Sequence, residues 1–214
     1  MYLQEAYDLI DCLLFRLSSL ETAAARWLIA DTEAGVQVTA SPDDADAEAF
    51  SDALRKTSRE QSTMFDEVEA FLAAWARLSL LFWPAPMRSA ANRDYTIERG
   101  RRLVHFLRLD DNHPLTNRDL RNAWMHTDER FDDAWLDRRL GNRQQFVRSS
   151  GVDRALMHAV RIVDVESLTI HFRNAEGTIG QQPLRPLKGV LEDLLTSRHN
   201  AFRDRFAELP NHVD

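Results

Sequence analysis

Four polar side chains near the middle of the chain have the types and spacing of a site for phosphate chemistry. They recur at i, i+4, i+7 and i+11, so on a helix they form one continuous stripe: Asn122, His126, Glu129 and Asp133. Arg121 lies five residues before His126, which places it about 140° around the helix axis. An arginine stabilises a pentavalent phosphate, and a histidine moves protons near neutral pH. The two side chains can contact one ligand only if that ligand lies across the flank of the helix between them, for instance at a two-fold dimer interface.

The same pattern also has plainer explanations. The chain holds 25 arginines and seven histidines, so roughly 0.8 matches to Arg-x4-His are expected by chance. A second match, Arg108 to His113, falls in a predicted turn. A polar helix stripe is also typical of a solvated or salt-bridged face. One hypothesis is therefore a helical interaction protein in which the match is accidental.

Helices dominate the part of the chain that precedes this stripe. Apolar residues at helical spacing predict long helices over 2–30 and 46–82. The acidic stretch 35–49, with its glycine and proline, predicts a break after the first helix that is a surface loop or the start of the second helix. The two helices are predicted to form an antiparallel hairpin. Residues 87–94 are predicted to be a basic connector, and 95–109 a third helix.

The sequence pattern changes in the second half of the chain, after the polar stripe. A fourth helix is predicted to start at Thr116 or Asn117 and to stop at Gly141. Residues 159–182 contain β-rich runs, which predict a small hairpin or a three-stranded appendage. A last helix is predicted over 186–208.

Composition narrows the classes of function. A single cysteine, Cys12, excludes an internal disulfide framework. Scattered histidines and the lack of nucleotide-loop or zinc-protease motifs predict no metal and no cofactor. The most apolar run, 71–83, is shorter than the roughly 20 residues that a membrane helix needs. Without a basic start followed by an apolar stretch, the chain is expected to be cytoplasmic, with no membrane partner.

Charge is unevenly spread along the chain. The net charge is −7 overall, but residues 1–76 carry −10 and residues 77–214 carry +3. Arginines are concentrated on both sides of the stripe, in 77–108 and 138–161. They predict either solvated helix faces or a track for a nucleic-acid backbone, and salt-dependent binding would distinguish the two.

The segment Arg121-Asn122-Ala-Trp-Met-His126 resembles the motif of the HEPN superfamily (higher eukaryotes and prokaryotes nucleotide-binding domains). The family pattern is an Arg, commonly followed by Asn, then a His after four to six residues, on a late helix of an all-α bundle. The acidic continuation after His126 is also similar to HEPN-like sequences. The resemblance covers about residues 1–140. It implies a HEPN-like bundle of four to five helices. The small β-hairpin predicted over 159–182, before the C-terminal helix, lies outside the resemblance, and the whole chain is expected to be a single, mainly α domain over 1–214.

The resemblance further implies a homodimer with facing motif helices that acts as a metal-independent endoribonuclease. Arg121 would stabilise the phosphate, His126 would transfer protons, and Asn122 would orient His126 or the phosphate. Glu129 and Arg130, which follow His126 by three and four residues, would support the site. RNA is then the substrate, and 2′-OH attack leaves a 2′,3′-cyclic phosphate. Many members are toxins or phage-defence factors, so a cognate antitoxin or inhibitor is a further expected partner. The alternative is a non-catalytic HEPN-like dimeric module that binds nucleotide, RNA or a protein.

Overall fold

The protein is mainly helical, with one small mixed sheet. The computed structural model describes residues 2–39, 44–85, 90–110, 112–117, 142–157, 159–173 and 178–207, together with Leu120 and Asn122. Among these residues, more residues lie in helices than in strands, and there are more helices than strands. The mainly α class expected from the sequence is therefore confirmed, and the sheet is larger than the expected hairpin.

Five helices have defined bounds in the described residues. They are α1 (Tyr2–Thr39), α2 (Asp44–Phe82), α3 (Ala90–Phe106), the short α4 (Val152–Leu156) and α5 (Arg185–Ala207). No helix in this described part of the chain is long and apolar enough to cross a membrane.

The predicted helix ends are correct for some helices and wrong for others. Helix α2 ends as predicted, where Pro84 and Pro86 follow. Helix α1 continues through Gly35 to Thr39, so the predicted end of this helix before Gly35 is wrong, whereas α2 begins at Asp44, two residues before its predicted start. Helix α3 begins at Ala90, inside the predicted connector, and ends earlier than predicted. A single glycine lowers helix stability by only about 1 kcal/mol, which a long helix tolerates.

Residue contacts divide the chain into two compact units. The first contains residues 1–14, 74–117 and 186–214. The second contains residues 15–73 and 118–185. Helices α1 and α2 each contribute residues to both units.

Ion pairs within each unit show that α1 and α2 run antiparallel, as predicted. In the first unit Arg77 lies 3.8 Å from Glu5. In the second unit the pairs are Arg16 with Glu67 at 3.1 Å and Lys56 with Glu33 at 2.7 Å. These pairs are partly or largely exposed, so each contributes at most about 1 kcal/mol to stability.

One face of each long helix is buried, and its positions repeat at helical spacing. On α2 the buried face includes Met64, Val68, Phe71, Trp75 and Leu78. Two apolar residues of α2 that the helical spacing predicted on its buried side, Leu54 and Phe65, are exposed instead. Successive residues of a helix point about 100° apart, so Phe65, which directly follows the buried Met64, lies at the edge of the buried face of α2.

Helix α3 lies close to the end of α2 within the first unit. Gly100 is buried there, and a Cβ atom at this position would overlap the carbonyl oxygen of Phe82 and press on Pro84. Only glycine, which has no Cβ atom, allows the backbone of α3 to lie this close to the end of α2.

Four strands form one mixed sheet in the order β1-β2-β3-β4. They are β1 (Asn142–Val147), β2 (Ala159–Asp164), β3 (Thr169–Arg173) and β4 (Ile179–Pro183). Strands β2 to β4 are antiparallel neighbours, close to the predicted β-rich runs. Of the two alternatives expected over 159–182, a hairpin or a three-stranded appendage, the second corresponds to β2, β3 and β4, and the prediction missed β1, which pairs in parallel with β2. A parallel pair needs a crossover, which here contains α4.

Candidate functional site

Most of the sequence-predicted site residues lie outside the described residues. These are Arg121, His126, Glu129 and Arg130, and nearly all of the predicted fourth helix lies outside with them. Asn122 is described, is helical and is half-buried. Leu120, a predicted core residue, is also helical, and its side chain is 1% exposed.

The segment before this helical stretch has a well-defined path. A 3-10 helix spans Pro114–Thr116, and its Leu115 is fully buried. The hydroxyl of Thr116 donates to the carbonyl oxygen of His113 at 2.8 Å. Asn117 follows with an extended backbone, which is the conformation of a helix N-cap residue. The chain is thus anchored immediately before the motif.

The neutral ring of His113 stabilises this 3-10 helix. Its Nδ1 atom accepts a hydrogen bond from the backbone N–H of Leu115 at 3.3 Å. The ring stacks on Trp83, with centroids 6.5 Å apart and planes inclined by 24°. Burial lowers the pKa of His113, while the charge of Asp110 opposes this shift. The folded protein therefore favours the uncharged imidazole, which is the form that accepts at Nδ1.

We expect His113 to make stability fall as the pH falls below neutrality. Because its pKa is lowered in the folded state, the unfolded chain takes up the proton first, at its ordinary pKa of about 6.5. The contribution of His113 is fully present above that pH and is lost as the pH falls toward the folded pKa. Urea unfolding at pH 7.5 and pH 5.5 measures this difference, which should be smaller for His113→Asn than for the wild type.

The exposed His105 on α3 provides a matched control. His105→Asn should keep the wild-type difference between the two pH values, because the side chain of His105 is exposed. His171 also has a pKa lowered by burial, but it is present in all three proteins and does not affect the comparison. An equal pH effect in His113→Asn and the wild type would contradict the expectation.

Helix α3, which precedes His113 in the sequence, has a basic surface. Arg93, Arg101 and Arg102 are exposed on it. Glu98 accepts hydrogen bonds from Arg102 at 2.7 Å and Arg101 at 3.0 Å. The hydrogen bond from Arg102, followed by the charges of both arginines, lowers the pKa of Glu98. Two guanidinium groups share one carboxylate, so positive charge remains for a phosphate.

The arginines of the second predicted basic stretch have a different environment. Arg161 on β2 is 2% exposed and pairs with Glu69 of α2. Arg148, just after β1, donates to Asp31 at 2.8 Å and to the Thr32 hydroxyl at 2.7 Å. Both side chains connect the sheet to the long helices within the second unit. They stabilise the fold, and the nucleic-acid track predicted over 138–161 receives no support from them.

The sequence analysis missed a buried carboxylate where β2 ends. Asp164 accepts hydrogen bonds from the hydroxyls of Ser149, at 2.7 and 2.9 Å, and of Ser167, at 2.7 Å. The backbone N–H groups of Glu166 and Ser167 donate to it at 3.1 and 3.3 Å. The available signal was an aspartate three residues before a serine between two strands, which is typical of a side-chain-capped turn.

These hydrogen bonds determine the charge of Asp164. Burial alone raises the pKa of this carboxyl, but the bonds from Ser167, Ser149 and the two backbone N–H groups outweigh burial and lower it. A carboxylate with a low pKa is a poor base near neutral pH. Asp164 therefore joins the loops that follow β1 and β2, and the arrangement is structural in character.

The described residues contain no group of three His, Cys, Asp or Glu side chains placed to hold a metal ion. The chain matches no protein-family model, no curated protein and no solved structure with which it was compared. Its function is therefore argued from its own residues.

Proposed function

We propose that this protein is a metal-independent endoribonuclease of the HEPN type that acts as a homodimer, as a toxin or phage-defence effector. The motif Arg121-Asn122-x3-His126 carries the proposal. It lies in a segment that is helical at Leu120 and Asn122, where Leu120 is buried.

A helix that continues from Leu120 would separate the motif from the core face. By the rotation of about 100° per residue, Arg121 would lie about 100° from Leu120 and His126 about 240° from it. Both side chains would then lie away from the buried face and would be available to a partner helix. In a two-fold dimer, the Arg and His of both protomers would line one shared cleft.

The proposed reaction needs only protein side chains and the RNA itself. The ribose 2′-oxygen attacks phosphorus, and His126 moves a proton between the 2′-OH and the leaving 5′-oxygen. A new bond forms between O2′ and phosphorus, and the bond between phosphorus and O5′ breaks. Arg121 stabilises the extra negative charge of the transition state. The products are a 2′,3′-cyclic phosphate and a 5′-hydroxyl.

Other residues would support these two. Asn122 would orient His126 or the phosphate, and Glu129 and Arg130 would support the site from the next turn of the helix. The basic surface of α3, with exposed Arg93, Arg101 and Arg102, would attract the RNA backbone and make binding salt-dependent.

The test is cleavage of total RNA and tRNA by the purified protein in EDTA. We expect products with cyclic-phosphate ends, and no cleavage at a site where one ribose is replaced by 2′-deoxyribose. A requirement for divalent metal, or cleavage of the deoxy-substituted site, would contradict the mechanism. A protein that forms a dimer and binds RNA but cleaves none would instead be the non-catalytic module.

A further inference from the structure

The first unit contains a cleft that includes none of the motif residues, although its Arg102 also belongs to the basic surface of α3. It lies between the start of α1 and one side of α3, and its volume is about 590 Å³. Sites for small molecules typically have volumes of about 300–1000 Å³. Leu3, Leu103 and Phe106 provide apolar lining. The remaining lining is aromatic and charged, and it comes from Tyr2 and from one face of α3.

Arg99 is placed in this cleft with most of its hydrogen-bonding capacity unused. Its guanidinium carbon lies 4.8 Å from the ring centroid of Tyr2, in cation–π contact. Among the described residues it donates one long hydrogen bond, 3.4 Å, to the carbonyl oxygen of Leu80. Its Nε atom is buried without an acceptor there. A guanidinium has five donors, so an anionic ligand would supply acceptors that this arginine lacks.

A tyrosine provides a flat, accessible surface beside this arginine. Tyr95 lies one helical turn before Arg99 and is 58% exposed. The rings of Tyr95 and Tyr2 belong to the same lining. An exposed aromatic face beside a positive charge suits a planar ring that carries an anion, because stacking and ion pairing act on the same molecule.

The charges of the lining limit the charge of the ligand. Arg99 and Arg102 contribute two positive charges, and Glu98 contributes one negative charge. A single phosphate, with a charge of about −1.5 to −2 near pH 7, comes closest to matching this net charge of one positive unit, and a triphosphate would leave more negative charge without partners.

We propose that this cleft binds a small aromatic anion of the nucleoside monophosphate class. The base stacks on Tyr95, and the phosphate accepts hydrogen bonds from Arg99 and Arg102. This site goes beyond the proposed nuclease activity and includes none of the motif residues.

Titration calorimetry with 5′-AMP tests the proposal on the full-length protein. We expect Arg99→Met to weaken AMP binding by about 10- to 100-fold, since a hydrogen bond to a charged group is lost. Arg102→Met should also weaken binding, and because the side chain of Arg102 is exposed, this variant should fold as the wild type does. Arg93→Met is the matched control, because Arg93 lies on the same helix outside the cleft lining, and it should bind AMP as the wild type does.

Two further ligands and one further variant test whether AMP binding is specific to this cleft. ATP should bind no tighter than AMP, and inorganic phosphate should not compete at similar concentrations. His126→Ala should bind AMP normally, so this result does not depend on the outcome of the RNA cleavage test. The proposal is overturned by absence of AMP binding, by equal competition from inorganic phosphate, or by unchanged affinity in both Arg99→Met and Arg102→Met.

Discussion

Replacement of His126 or Arg121 by alanine is expected to lower RNA cleavage in EDTA by at least about 100-fold. His126→Ala removes the group that transfers the proton, and Arg121→Ala removes the positive charge next to the phosphate. Since both residues act on one transition state, the double variant should be only slightly less active than either single variant. Single-turnover cleavage rates of a labelled RNA measure all three effects.

Matched substitutions outside the motif separate this result from a general loss of charge. His105→Ala on α3 and Arg59→Ala on α2 each remove the same residue type from an exposed position outside the motif and outside the three arginines proposed to attract RNA, and both should cleave at a rate within a fewfold of the wild type. Sedimentation of each protein would show whether dimers persist. Cleavage that Arg121→Ala and His126→Ala both retain would mean that another site, or a contaminating nuclease, is responsible.

The helices were predictable because their signals are local. Pro84 and Pro86 follow α2 directly, and the spacing from Met64 to Leu78 alone indicates a buried face. Leu120 was predicted as a core residue by the same periodicity, and it is buried. Such features depend on neighbours within a few residues, which a sequence displays directly.

The connections of the sheet were not predictable because they are long-range. Strand β1 has little alternation of apolar and polar residues, and it forms a strand by pairing with β2 beyond a crossover. Arg161 is buried because Glu69, 92 residues away, pairs with it. Arg148 reaches Asp31, 117 residues away. Nothing near these arginines in the sequence distinguishes them from arginines that face solvent.

The motif differs from the cleft in how it could be found. Arg121 and His126 were identified from residue types and from a family resemblance. The cleft combines Tyr2 with Arg99, which belong to different segments of the first unit and lie 97 residues apart in the sequence. Only the fold brings an aromatic ring from the start of α1 against an arginine of α3.

Asp164→Ala is expected to lower the free energy of unfolding by about 3 kcal/mol or more. Asp164 is 5% exposed and accepts hydrogen bonds from two hydroxyls and two backbone N–H groups. Each hydrogen bond to a charged group contributes about 1.5–3 kcal/mol, but the contributions of one cluster are not additive. Alanine would leave these donors without their acceptor, and water can replace it only in part. Urea unfolding at pH 7 measures the loss.

Asp153→Ala is the matched control, because Asp153 is exposed on α4, and it should change stability by less than about 0.5 kcal/mol. The pH provides a second test. Because the pKa of Asp164 is lowered in the folded state, its contribution is present above the unfolded value of about 3.9 and is lost as the pH falls through the folded value. The difference between wild type and Asp164→Ala should therefore shrink in acid. A constant difference across that range would mean that the side chain acts through packing, and equal stabilities at pH 7 would mean that the turn holds without its carboxylate.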